Sequence, residues 1–202
     1  MKEGRIFLIR HGKTEWNGER YLGWEDVPLS ETGKKQADEI DLALQNERID
    51  IIYSSPLTRA VETISSFAQK RGIPVYTAED LRELHYGRWQ GLCKSKHKLN
   101  VIQQYRVSRL PQGESLFDVY LRAVCFRGRL ESDLGAGKNV AVVGHFWSNR
   151  MLEGVIRRVP FKSILDQPAY RPKNGSLLQM KYRVEADGEL CISSASFVVQ
   201  GF

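Results

Sequence analysis

The sequence predicts an α/β fold: a three-layer α/β/α sandwich with a mostly parallel central sheet. Two observations carry this. Short apolar, β-branched runs recur along the chain, at 5–9, 49–53 and 140–143, each too short for a helix. Between them lie stretches with apolar residues at helical spacing, such as Ala37, Ile40 and Leu44, or Leu57, Val61, Ile64 and Phe67. Strands that alternate with helices and are nearly continuous in hydrophobicity belong to a parallel sheet covered on both faces. A length of 202 residues suits one well-cored domain over 1–202, and no repeat or Pro/Ser-rich linker divides it.

Composition narrows the class. Charged residues make up 27% and hydrophobic ones 42%, with no apolar run of membrane-spanning length and no signal-peptide pattern at the start. Three widely separated cysteines, Cys93, Cys125 and Cys191, have no metal spacing and read as reduced thiols of a cytoplasmic protein. A net charge of +6 attracts anions. The basic residues are spread out and no nucleic-acid motif accompanies them, so neither nucleic acid nor membrane is expected as a partner. The densest run, Lys94, Lys96, His97 and Lys98, has the composition of a solvated face.

Taken in order, the first strand runs into Arg10-His11-Gly12. That puts a guanidinium and an imidazole at a strand's carboxyl end, the edge where open α/β sheets place ligands. On these residues alone, an ion-paired arginine beside a packed histidine is the simpler reading. A long polar loop, 14–28, follows, and loops of that length in compact domains are usually functional. Ser30 or Thr32 can cap the next helix. The second strand ends at Ser54-Ser55, which predicts a helix capped there with Pro56 in its first turn and Arg59 near its N-terminus. A cation there opposes the helix dipole unless an anion joins it. A short third strand over 74–76 leads to Glu83, set among leucines in a Gly- and aromatic-rich loop.

The segment 94–109 looks helical but irregular. Gly113-Glu114-Ser115 opens a stronger helix, which Gly135-Ala136-Gly137 closes. The fourth strand ends on His145, a helix striped by Met151, Leu152, Val155 and Ile156 follows, and 177–184 with 190–199 reads as a closing hairpin. Two guanidinium forks, two imidazoles and one carboxylate (Arg10, His11, Arg59, Glu83, His145) thus gather at one sheet edge without a three-ligand metal cluster. Structural demands do not place this set at strand ends, whereas phosphoryl transfer uses all of it.

Arg10-His11-Gly12 with Thr14 and Asn17, the Asp26 to Gly33 motif, Ser54-Ser55-Pro56-Leu57-x-Arg59-Ala60-x-x-Thr63, Leu81-x-Glu83-x-x-Tyr86-Gly87-x-Trp89-x-Gly91, Gly113-Glu114-Ser115 and Val142-Val143-Gly144-His145 resemble the histidine phosphatase superfamily, with its phosphoglycerate mutase-like fold. The match runs along nearly the whole chain in the family's order. The resemblance implies a phosphohistidine on His11 and neither metal nor organic cofactor. It implies that Arg10, Arg59 and His145 hold the phosphoryl oxygens, that Asn17 is an accessory donor, and that Glu83 gives the leaving oxygen its proton. Thr14, Gly23 and Phe146 complete the expected substrate-binding set.

Two departures bear on the substrate. Phe146 stands where the family often has Gly; its N–H is still expected to reach phosphate, with its ring narrowing the pocket. His85 stands where relatives often carry an acid, and packing is its simpler explanation. The basic segment 92–112 is expected over the pocket mouth, with Lys94, Lys96, Lys98, Arg106 and Arg109 near a second anionic group. Because the connection from Glu83 to Gly113 is short and Phe202 follows soon after the last strand, hydrolysis is favoured over mutase chemistry. The expected activity is that of a phosphomonoesterase of the histidine acid phosphatase type on a small anionic metabolite, such as a sugar phosphate or phosphoglycerate. A cofactor-dependent phosphoglycerate-type mutase and a non-catalytic phosphate-binding module are the alternatives. Monomer and homodimer both stay open.

Overall fold

In the computed structural model, residues 2–166 and 171–201 are described; Met1 and Phe202, which the sequence reading used as bounds, lie outside them. Six strands form one sheet in the order β3-β2-β4-β1-β5-β6. Strands β1 (Lys2–Arg10), β2 (Ile51–Ser54), β3 (Val75–Thr77) and β4 (Val140–Gly144) run parallel. Strands β5 (Leu177–Val184) and β6 (Leu190–Val199) add the expected antiparallel hairpin. The first strand is therefore an inner one, flanked by β4 and β5.

The two-residue period of β1 divides the core. Ile6 and Leu8 join Val140 and Val142 in a cluster with Val119, Phe126 and Leu130 of α4 (Leu116–Gly135) and Met151 and Leu152 of α5 (Phe146–Ile156). Phe7 and Ile9 join Ala141 and Val143 under Ile40 and Leu44 of α1 (Glu31–Leu44) and Ile64 and Phe67 of α2 (Thr58–Arg71). Both faces of the sheet are covered, giving the three layers. Among the described residues, no helix is long and apolar enough to cross a membrane.

The N-termini of α1 and α4 follow local chemistry. Ser30 caps α1 by accepting from Gly33 N, and Ser115 and Asp118 form a reciprocal capping box on α4. Helix α2 instead starts at Thr58, two residues beyond Pro56, and its N-cap Leu57 makes no side-chain bond. The acceptor comes from the first loop: Asp26 takes the Thr58 N–H at 2.7 Å and its hydroxyl at 2.8 Å. The segment 94–109 is mostly non-helical, with a single turn, α3 (Val101–Gln104), inside it. Its irregularity follows from its tethering. Tyr21 donates its hydroxyl to His97 O and accepts from Leu99 N, while Lys94 N reaches Glu19 O.

Candidate active site

Parallel register brings the site together. Arg10 pairs with Gly144 and Ser54 with Val143, so β1, β2 and β4 end level and His11, Ser55 and His145 emerge side by side. The chain turns away from β1 at Gly12, where a Cβ would press on the Gly33 carbonyl; only glycine permits that approach. Behind these strand ends opens a cavity of about 720 Å³, walled by Arg10, His11, Asn17, Arg59, Glu83 and Phe146 together with Gly23 and part of the segment 94–104.

His11 is buried against this cavity, and its Nδ1 lies 2.7 Å from Gly12 O. A carbonyl only accepts, so Nδ1 carries the proton and Nε2 keeps its lone pair. Burial, then the charges of Arg59 and Arg10, hold the imidazole pKa well below 6.5. His11 is thereby a neutral imidazole with its orientation fixed and Nε2 unprotonated. Two further polar groups secure the backbone beside it. Gly175 N donates to Arg10 O and His11 O, and Asn174 Nδ2 donates to His11 O at 3.2 Å.

Arg59 is 1% exposed, and burial pulls its pKa down to about 10, with Glu83 and Asp26 opposing that shift. It remains a cation at neutral pH. Its Nη2 donates to Gly23 O at 2.8 Å, its Nη1 to Glu25 O at 2.7 Å and its Nε to His145 Nδ1 at 3.3 Å. One N–H on each terminal nitrogen is left for an anion. Asp26 at the start of α2 offsets the unfavourable placement of this cation against the helix dipole. Arg10 donates to Pro172 O at 2.7 Å, and its guanidinium carbon stands 5.4 Å from the Phe146 ring centre.

Asn17 presents its amide by elimination. Its Oδ1 accepts from Thr14 N at 2.8 Å, from the Thr14 hydroxyl at 3.2 Å and from Asn174 Nδ2 at 3.3 Å. Nδ2 is thus the end turned toward the cavity. Glu83 sits at the N-terminus of α5: its Oε2 accepts from Phe146 N at 3.0 Å, and its Oε1 from Trp147 N at 3.0 Å and Leu84 N at 2.9 Å. Oε2, with a single accepted bond, still has a lone pair that can take a proton. A carboxylate at the positive end of a helix is well placed electrostatically.

Several sequence expectations change here. The Phe146 N–H points to Glu83 rather than to the cavity, because a helix N-terminus offers its free donors to the nearest carboxylate. Thr14 lies outside the cavity wall and serves the Asn17 side chain. His145 is 0% exposed and stands behind His11, ring centres 4.9 Å apart. Its Nδ1 accepts from Arg59 and its Nε2 lies 2.8 Å from Ser55 Oγ, so it orients Arg59 in this state. Arg106 and Arg109 are drawn off into ion pairs with Asp166 and Asp118, 3.0 and 2.8 Å, and leave the cavity to Lys94 and Lys98. The basic run is therefore not one solvated face. His85 is a packing residue, accepting from Gly87 N and lying edge-on to Trp24.

Sequence reading missed the scaffold of the Glu83 loop. Arg122 of α4 donates to the carbonyls of Asp80, Arg82 and Glu83 and is held by Glu114 through two bonds, 2.9 and 3.0 Å. Trp24 Nε1 adds a 2.7 Å bond to Glu83 O. Arg122 carried no local signal beyond being a cation on an apolar helix face; Asn174 had one, the Asn-Gly turn pair. Among the described residues, no group of three or more His, Cys, Asp or Glu side chains is arranged to hold a metal.

The fold and site together define an α/β protein with a neutral histidine beside two guanidinium groups at the carboxyl edge of its sheet. Residues 6–186 match the sequence profile of the histidine phosphatase superfamily (branch 1), and the chain belongs to that superfamily. It is 38% identical over 152 residues to 2,3-bisphosphoglycerate-dependent phosphoglycerate mutase 2 of Gloeobacter violaceus, covering 69% of each chain. Identity to the 2,3-bisphosphoglycerate-dependent phosphoglycerate mutase of Methanosarcina mazei is 33% over 206 residues, 80% of this chain and 84% of that one. Among solved structures, mycobacterial glucosyl-3-phosphoglycerate phosphatase superposes with a TM-score of 0.80 at 25% identity, over 95% of this chain and 98% of that one.

Proposed function

We propose that this chain is a phosphomonoester hydrolase that works through a phosphohistidine on His11 and acts on a small anionic phosphoester. The observation that carries the proposal is the tautomer of His11: Nδ1 bound to Gly12 O leaves Nε2 unprotonated beside two guanidinium groups. In the first step Nε2 attacks phosphorus, the P–N bond forms and the ester P–O bond breaks. Glu83, carrying a proton, delivers it to the departing oxygen. In the second step Glu83 takes a proton from water, water oxygen attacks phosphorus, the P–N bond breaks and inorganic phosphate leaves. Arg10, Arg59 and Asn17 hold the non-bridging oxygens throughout, and His145 keeps Arg59 in place.

Water as the second acceptor is supported by two observations. The mycobacterial phosphatase matches this chain almost end to end. The alignment with the Methanosarcina mutase spans more positions than this chain contributes, so the mutase has residues where this chain has none. Phosphoglycerate mutase activity is the second reading, favoured by the names of relatives with higher sequence identity. One assay separates the two: phosphate release from 3-phosphoglycerate against its isomerisation with 2,3-bisphosphoglycerate added. Release without bisphosphate-stimulated isomerisation supports the hydrolase; the reverse replaces it with the mutase.

A further inference from the structure

Phe146 is the residue where the cavity changes character. On one side its ring stands over the Arg10 guanidinium, and on the other it meets Trp147 edge-on at 4.8 Å. Beyond it the wall carries an apolar patch, with Lys94, Lys98, Asn100 and Gln104 around it. Leu99, Val101 and Ile102 line the cavity, and all of them belong to, or pack upon, the hydrophobic cluster between the sheet and α4. The main core thus runs out into the cavity as its wall.

The polar atoms of the aromatic side chains and of the helix N-terminus beside this patch are already committed. Trp147 Nε1 donates to Tyr86 Oη at 3.1 Å. The Tyr21 hydroxyl donates to His97 O at 2.9 Å and accepts from Leu99 N at 3.0 Å. The N–H groups of Phe146 and Trp147 belong to Glu83. Of the side chains just named, only Tyr86 keeps an uncommitted proton, the one on its hydroxyl. A polyol laid on the patch itself would give up water hydrogen bonds without replacement from Phe146, Leu99, Val101 or Ile102, whereas a flat apolar body would gain contact there.

We propose that Phe146, with Leu99, Val101 and Ile102, selects phosphomonoesters whose alcohol carries a flat apolar body, above all an aromatic ring, over polyol phosphates. The inference rests on the hydrolase reading above and narrows its substrate class. Its test uses two primary alkyl phosphates with similar leaving oxygens, 2-phenylethyl phosphate and glycerol 3-phosphate, so that leaving-group reactivity does not decide the result.

The wild type should have the higher kcat/KM on the phenylethyl ester, and Phe146→Gly should lower the ratio of the two values roughly tenfold, the scale expected for losing one aromatic face. Any effect through Arg10 touches both esters alike and cancels in the ratio. Ile102→Ser, which leaves Phe146 in place, should lower the ratio in the same direction and guards against misfolding of the first variant. Calorimetric binding of both esters to the His11→Ala protein reads the wall without turnover. If neither ester is hydrolysed but the phenylethyl ester binds His11→Ala more tightly, the hydrolase reading fails and the wall stands. Equal or reversed preference in both the kinetic and the binding arms overturns the wall.

Discussion

Burial and the charges of Arg59 and Arg10 all disfavour a proton on His11, and burial, Arg59 and His11 itself act the same way on His145. In the unfolded chain both imidazoles take up a proton near their ordinary pKa of about 6.5. The unfolded state therefore binds more protons than the native one below that value. Stability contributed by the neutral pair is complete above pH 6.5 and is lost as pH falls below it, with a slope approaching about 1.4 kcal/mol per pH unit for each histidine. Thermal melts between pH 7.5 and 5.5 should show Tm falling on acidification, and less steeply for His11→Ala; a flat profile would contradict the assignment of neutral imidazoles. His11→Ala should also abolish turnover while remaining folded. Rapid quenching of the wild type with labelled substrate should leave acid-labile, base-stable label on the protein, and a fully active variant would remove His11 from the mechanism. Glu83→Gln keeps one of the two acceptor oxygens but cannot deliver a proton. It should slow alkyl phosphates by about 10²–10⁴-fold and nitrophenyl phosphate much less. Equal losses on both would assign the acid elsewhere.

At the scale of elements, the sheet was readable because each strand announces itself locally. The runs at 5–9, 49–53 and 140–143 are apolar and bounded by polar or Gly residues, and all three lie inside or beside the observed strands. Ser30 and Ser115 were likewise readable as caps, since cap and N–H are three residues apart. What escaped the sequence was long-range partnership. Asp26 caps α2 from 32 residues away, Arg122 reaches back 39 residues to Glu83, and Arg106 is diverted by an aspartate 60 residues on. No spacing rule encodes such pairs. The same contrast yields a paired prediction. Ser115→Ala removes one end of a capping box and should cost about 1 kcal/mol, seen as a drop in Tm with kcat preserved. Gly87 has φ +56°, and a Cβ there would strike the Pro111 carbonyl, at the point where the Glu83 loop crosses the turn before α4. Gly87→Ala should lower Tm and kcat together, because Glu83 moves with its loop; unchanged kcat would show that the loop's register does not set the proton donor.

For the molecule as a whole, a net charge of +6 is focused at one cavity by Arg10, Arg59, Lys94 and Lys98. Burial and nearby Arg10 lower the Lys94 pKa, which places that ammonium inside the cavity field. KM for a substrate with a second anionic group should rise with salt more steeply than for one without, since charges are screened over roughly 8–10 Å at physiological ionic strength. Lys94→Met with Lys98→Met should flatten that slope, while neutralising Arg106 and Arg109 should not, because their ion pairs hold them elsewhere. If the arginine pair flattens it and the lysine pair does not, the ion-pair geometry is misassigned. The position of β1 also has a consequence for biosynthesis. The first strand made is paired only with β4 and β5, more than 130 residues downstream. On the ribosome, Ile6-Phe7-Leu8-Ile9 emerges as a hydrophobic strand with neither neighbour yet translated. Until β4 and the turn at Asn174-Gly175 are made, Arg10 and His11 lack the backbone partners those elements supply, so the nascent chain carries both side chains long before the site closes, with a sticky segment for chaperones to cover in between.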